Sequence, residues 1–123
     1  MRTPEELVGE FVRAFEARDL DGFLGCFAAD ATAAFPFSGE PQRGRHALRE
    51  RFSRYLADIA TGAAPAPPPV TLDDLVVQRL GPDASVALFT YGRPREIRRR
   101  TLVLRREGGR WWVVHLHGSN APA

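Results

Sequence analysis

The stretch GRWWVVHLHGSN, Gly109 to Asn120, closes a chain of 123 residues and sets how the rest is read. Its tryptophans, valines and histidines are strand formers. Just before it, Glu107-Gly108-Gly109 reads as a hairpin turn, so the segment upstream must be its antiparallel partner. That segment is REIRRRTLVLRR, residues 95–106. Two further β-rich segments precede it: ASVALFTYG, residues 84–92, and VTLDDLVVQRL, residues 70–80. Turn signals at 81–83 (GPD) and 93–94 (RP) separate them. The second half of the chain is therefore expected to be a four-stranded antiparallel meander.

The first half reads differently. In TPEELVGEFVRAFEARDL, Thr3 is an N-cap, Pro4 stands at N1 and Glu6 completes a capping box. Leu7, Val8, Phe11, Val12 and Phe15 recur at helical spacing. A second, shorter helix is expected over 19–30, with Leu20, Phe23, Leu24 and Phe27 on its apolar side, although Gly22 and Gly25 weaken it. ATAAFPF, residues 31–37, reads as a short strand, and Pro36 argues for an edge position. A loop over 38–44 leads to a third helix over 45–60, carrying Ala47, Leu48, Phe52, Tyr55, Leu56 and Ile59. TGAAPAPPP, residues 61–69, ends it as a stiff connector too short to separate domains. Helices first and strands after imply one α+β domain over residues 1–123, with three N-terminal helices packed on a curved antiparallel sheet. The other face of that sheet also needs cover, and a second copy of the chain is the economical answer.

Composition narrows the function classes. All 17 basic residues are arginine, yet the formal net charge is only +2, which gives no case for nucleic acid. No apolar run approaches the ~20 residues of a membrane span, and the N-terminus lacks a signal-peptide core. The single Cys26 excludes an internal disulfide and fits a reducing cytosol. A cytoplasmic protein is expected, with no nucleic-acid or membrane partner and no cofactor.

The order of elements resembles the nuclear transport factor 2-like superfamily, which includes SnoaL-like and ketosteroid-isomerase-like proteins. ARDLDGFLGCFAADATAAFPFSGEPQRGRHALRERF, residues 17–52, is similar to that family's second-helix, first-strand and third-helix region. GGRWWVVHLHGSNAPA, residues 108–123, is similar to the closing strand of the calcium/calmodulin-dependent protein kinase II association domain. The resemblance implies a conical fold with a pocket between the helices and the concave sheet face, commonly paired into a dimer through the sheet. It does not imply one activity, because this fold hosts isomerases, dehydratases, cyclases, binders and assembly hubs.

Carried over position by position, the family mechanisms thin out. The ketosteroid-isomerase Asp falls at Phe35 and its oxyanion Tyr at Phe11, so that proton shuttle is missing. An epoxide-hydrolase-type Asp-Arg-Asp set is not assembled by Asp73, Asp74 and Asp83, which read as solvated turn residues. The association domain's pocket arginines fall at Gly118, Leu102 and Leu88, a loss consistent with a ligand that is not a carboxylate. If position 118 faces the pocket, strict alternation turns Trp112, Val114 and Leu116 inward and His115 and His117 outward.

The expected pocket is then apolar, lined by Phe11, Phe15, Phe35, Tyr55, Leu88, Leu102, Trp112, Val114 and Leu116, with Arg100 as a handle for an anionic or carbonyl-bearing ligand. The expected partner is a small hydrophobic molecule. The alternative is a cyclase, isomerase or dehydratase acting on a hydrophobic or polycyclic substrate, with His115, His117 or Tyr55 as acid/base groups. A third class is a ligand-free association module. A metal would need His46 beside His115 and His117, and nothing in the sequence brings it there. Asp30 reads as a turn or cap residue, and the eight arginines from Arg93 to Arg110 read mainly as a solvated strand and hairpin tip.

Overall fold

The computed structural model describes residues 2–36 and 39–123. Helix α1, Pro4–Glu16, opens as its sequence dictates: Thr3 Oγ1 accepts from the Glu6 amide at 3.1 Å, and the Glu6 carboxylate accepts from the Thr3 amide at 3.2 Å. Its stripe of Leu7, Val8, Phe11 and Val12 is buried. Helix α2 is much shorter than expected, Leu20–Leu24. Asp19 caps it through the Gly22 amide at 3.0 Å, and a Cβ at Gly22 would collide with that same carboxylate. A side chain at 22 would therefore displace the capping carboxylate, and Gly25 then ends the helix.

The residues released by the short helix enter the sheet. Strand β1 spans Phe27–Ala34, so Asp30 is a strand residue rather than a turn or cap. Pro36 lies beyond the strand and Phe37 lies outside the described residues, as does Ser38 of the loop that follows. After a two-residue strand β2, Gln42–Arg43, comes helix α3, Arg45–Thr61, which buries Leu48 and Phe52 and stops at Gly62 with φ 81°. Residues 62–75 cross back as a strap. The meander then runs β3 Val76–Arg79, β4 Ala84–Tyr91, β5 Glu96–Glu107 and β6 Arg110–Pro122. Gly108 and Gly109, at φ 62° and 73°, make the β5–β6 turn with both central residues left-handed, the twist a two-residue hairpin requires.

The sheet order is β2-β1-β6-β5-β4-β3. The four C-terminal strands are antiparallel, as expected. Strand β1 pairs parallel with β6 and antiparallel with β2, so the six-stranded sheet is mixed and β1 is not an edge. Pro36 misled because it sits just after the paired residues. The sheet is curved and unclosed, with the helices on its concave face.

One irregularity decides which side chains face the helices. Val103 pairs with His115, but Leu104 pairs with Val113, leaving Val114 as an extra residue. This bulge resets the alternation. Trp111 and Val113 are buried before it, and Leu116 and Gly118 after it. Strict alternation, by contrast, sends Trp112, Val114 and Leu116 to one face.

The core is an aromatic cluster under α1–α3. The Phe23 ring lies 4.8 Å from Phe11 and 4.4 Å from Phe52, and Phe35 meets Phe52 edge-on at 5.1 Å. Leu104 is fully buried at the sheet's side of this core. Leu104→Ala should cost about 2–5 kcal/mol of stability, measured by urea unfolding, as expected for a truncated leucine in close packing.

Candidate functional site

Between the helices and the inner sheet face lies an open-mouthed cavity of about 70 Å³. Its helical wall is Phe11, Phe15, Phe23, Phe52 and Tyr55, and Val70 of the strap reaches its edge. Glu16 holds the strap there by accepting from the Val70 amide at 3.1 Å. The sheet wall is Phe89, Tyr91, Arg98, Arg100 and Leu116. Phe35, Pro36 and Arg51 line the remainder.

Arg100 lies across the ladder from Gly118. An added Cβ at 118 would sit 3.0 Å from Arg100 Nη1 and 3.1 Å from Cζ, so the absence of a side chain there makes the seat for the guanidinium. Arg100 donates to Tyr91 Oη at 3.2 Å and to Asn120 Oδ1 at 3.2 Å, and also to the Arg99 and Ser119 carbonyls. All four acceptors are neutral. Burial pushes the Arg100 pKa below its ordinary value, with neighbouring Arg98 adding to the effect. Arg98 is different. Burial is the largest single influence and opposes its charge, but Glu96, paired at 2.6 Å, and Tyr91 together outweigh it, and its pKa is raised. Both guanidiniums lie against the Tyr91 ring, at 5.3 Å for Arg100 and 5.8 Å for Arg98. Tyr55 stacks on Phe15, and burial raises its pKa, with Tyr91 acting in the same direction.

Of the residues expected at the pocket, Phe11, Phe15, Phe35, Tyr55, Arg100 and Leu116 line the cavity. Four lie elsewhere. Leu88 is 45% exposed on the opposite sheet face, because Phe89 and Tyr91 take the inward positions of β4. Leu102 is fully buried in the core and lines no part of the cavity. Trp112 sits at the hairpin end, its indole N–H donating to the Glu107 carbonyl at 3.1 Å under the Arg110 guanidinium. Val114 is the half-buried bulge residue. The cavity also has lining residues outside the expected set, among them Phe23, Arg51, Phe52, Phe89, Tyr91 and Arg98. For Phe89 and Tyr91 the available signal is the pair of aromatics at i and i+2 in ALFTY, overridden by the resemblance that put a pocket position at Leu88. Arg98 shares the alternation face of Arg100 and was legible from it.

The histidines lie away from the cavity. His115 pairs with Thr32 across β1, its Nδ1 2.7 Å from the threonine hydroxyl, and His117 is exposed. His46 is exposed on α3, 3.2 Å from Glu50. Among the described residues, no group of three or more His, Cys, Asp or Glu is placed to hold a metal ion. Nor does any helix among them have the length and apolarity to cross a membrane. The Arg-rich strand disperses: Arg105 pairs with Asp30 at 3.1 Å and Arg106 with Asp83 at 3.0 Å. Asp74 accepts from the Thr90 amide, so Asp74 and Asp83 are occupied locally.

Helices on the concave face of a curved mixed sheet, closing over an inner cavity, define a cystatin-like, nuclear transport factor 2-like fold. The sequence matches the family model of the SnoaL-like domain over residues 8–114, and the chain belongs to that family. Among solved structures it is similar to a Streptomyces avermitilis protein of the nuclear transport factor 2-like family provisionally assigned as a dehydratase: TM-score 0.76, 18% identity, covering 97% of this chain and 94% of that one. A Parabacteroides distasonis protein provisionally assigned as a ketosteroid isomerase gives TM-score 0.70 and 20% identity, with 96% and 87% covered. A Thiobacillus denitrificans protein provisionally assigned as a calcium/calmodulin-dependent protein kinase type II association domain gives 0.73 and 25%, with 100% and 97% covered.

The ionisation of Tyr55 can be followed by ultraviolet absorbance, where it should titrate above the ordinary value of about 10, and Tyr55→Phe should remove that high-pH step. Because the folded-state pKa is raised, the stability Tyr55 contributes is intact below the unfolded value. It should be lost as pH rises through the folded one.

Proposed function

We propose that this SnoaL-like protein binds a small molecule with an apolar, cyclic body in the cavity between its helices and sheet. The observation that carries the reading is the lining itself. Phenylalanines, Tyr55, Val70 and Leu116 surround the space, and polar donors from Tyr91 and Arg100 converge at one side. That division suits a ligand with one oxygen-bearing end.

The second reading is a SnoaL-like cyclase, isomerase or dehydratase acting on a hydrophobic substrate. It is favoured by the similar proteins assigned to isomerase and dehydratase classes and by Tyr55 on the cavity wall. Its acid/base group would be a phenol, since His115 and His117 stand on the other sheet face. A phenol beside a guanidinium can donate a proton or hydrogen bond to a carbonyl oxygen as charge develops on it.

One NMR experiment addresses both. The neutral ketone 4-phenylbutan-2-one should shift backbone amides of α1, α3 and β4–β6 around the cavity, and Leu116→Trp should abolish those shifts by filling the space. Shifts elsewhere, or none, sink the binding reading. In deuterated buffer, the enzyme reading expects faster exchange of the protons beside the ketone carbonyl, lost in Tyr55→Phe. Exchange at the buffer rate argues against it.

We also propose a homodimer through the outer sheet face. Leu88 and Val76 are paired across β3–β4 and are 45% and 53% exposed on that face, an apolar patch that a second copy would cover. Light scattering should give a dimer for the native chain and a monomer for Leu88→Asp. A native monomer would refute this, and a large ring would point to an association module instead.

A further inference from the structure

The cavity carries an unbalanced charge. Its described lining contains Arg51, Arg98 and Arg100 and no carboxylate. Arg98 is neutralised locally by Glu96 at 2.6 Å. Arg51 stands over the Phe35 ring at 5.9 Å. Arg100 is enclosed between Gly118 and Tyr91, and every partner it has is a neutral oxygen. A guanidinium taken out of water without a counter-charge is costly, and hydrogen bonds to neutral oxygens offset only some of that cost. Natural sites of this kind are completed by an anion, and a guanidinium is shaped to receive a carboxylate.

The geometry points to an organic monoanion as the ligand: a carboxylate on an apolar ring, its charged end against Arg100 and the Tyr91 hydroxyl and its body against Phe11, Phe15 and Tyr55. The assignment rests on the cavity being a ligand site and specifies what that site selects. It also revises the expectation of a non-carboxylate ligand. That expectation followed from leucine or glycine at three positions, none of which lines the cavity. Gly118 is vacant because a guanidinium from the neighbouring strand lies over it. Arg100, the lining guanidinium whose hydrogen-bond partners are all neutral oxygens, matches one negative charge on the ligand. Burial, which lowers the Arg100 pKa, also means the arriving anion meets little competing water.

A matched set of probes tests this on the full chain: 3-phenylpropanoate, its amide 3-phenylpropanamide and the ketone 4-phenylbutan-2-one, each titrated by calorimetry. The acid should bind about tenfold or more tightly than the amide, the advantage expected of a charge-assisted pair. Raising the salt concentration should weaken the acid and leave the amide unchanged. In Arg100→Met the acid should fall to the level of the amide. If that variant does not fold, Arg100→Gln and the salt titration of the native chain make the same comparison. Equal binding of acid and amide, or an acid advantage that survives loss of Arg100, overturns the monoanion while leaving the cavity as a site for neutral molecules. Failure of all three probes to bind overturns the site itself, and the monoanion with it.

Discussion

The structure depends on one register constraint, the pairing of β5 with β6 around the bulge at Val114. On one side Leu104 meets Val113, on the other Val103 meets His115. With the bulge, Trp111 and Val113 close the core near the hairpin, while further along Leu116 reaches the cavity and Gly118 leaves room for Arg100. A regular ladder would have to choose between those two sets. The large side chains would then lie at only one end of the sheet, and the cavity or the core would lose its floor.

Gly118 has a second consequence. A position without a side chain on an inward face is an invitation to a neighbouring residue, and Arg100, its cross-strand partner, takes it. The charge reaches the cavity from β5 rather than from β6. Seen along β6 alone, the site looks stripped of charge. Seen across the ladder, the charge has only changed strands. The aromatic floor supplied by Tyr91 holds both Arg98 and Arg100, so one residue organises the polar side of the cavity while the phenylalanines of α1, α2 and α3 make the apolar side.

Much of this was legible because local chemistry forces it. The Thr3–Glu6 capping box, the helical stripe through Phe11, the helix stop at Gly62 and the Gly108-Gly109 turn each follow from neighbours in sequence. Arg98, Arg100, Leu102 and Leu104 share one face of β5 by alternation, and Arg98 and Arg100 line the cavity. The parallel pairing of β1 with β6 was not legible, since nothing near Phe27–Ala34 encodes which distant strand it will meet. The length of α2 was also misread, because the apolar spacing of Phe23, Leu24 and Phe27 continues across the point where Gly25 turns the chain into a strand.

By itself, the sequence determined helices α1 and α3, the four C-terminal strands, their order and the α+β layering, because those arise from periodicity, caps and turn residues within a few positions of one another. It also determined that His115 and His117 share a face. Only the tertiary structure decided which side chains meet. Leu88 or Phe89 inward is set by the pairing of β4 with β5, while Trp112 or Trp111 inward is a choice with period two that a single unpaired residue in β6 reverses. That residue is recognised only when β5 is laid against β6, where the hydrogen-bond ladder shows Val114 to have no partner.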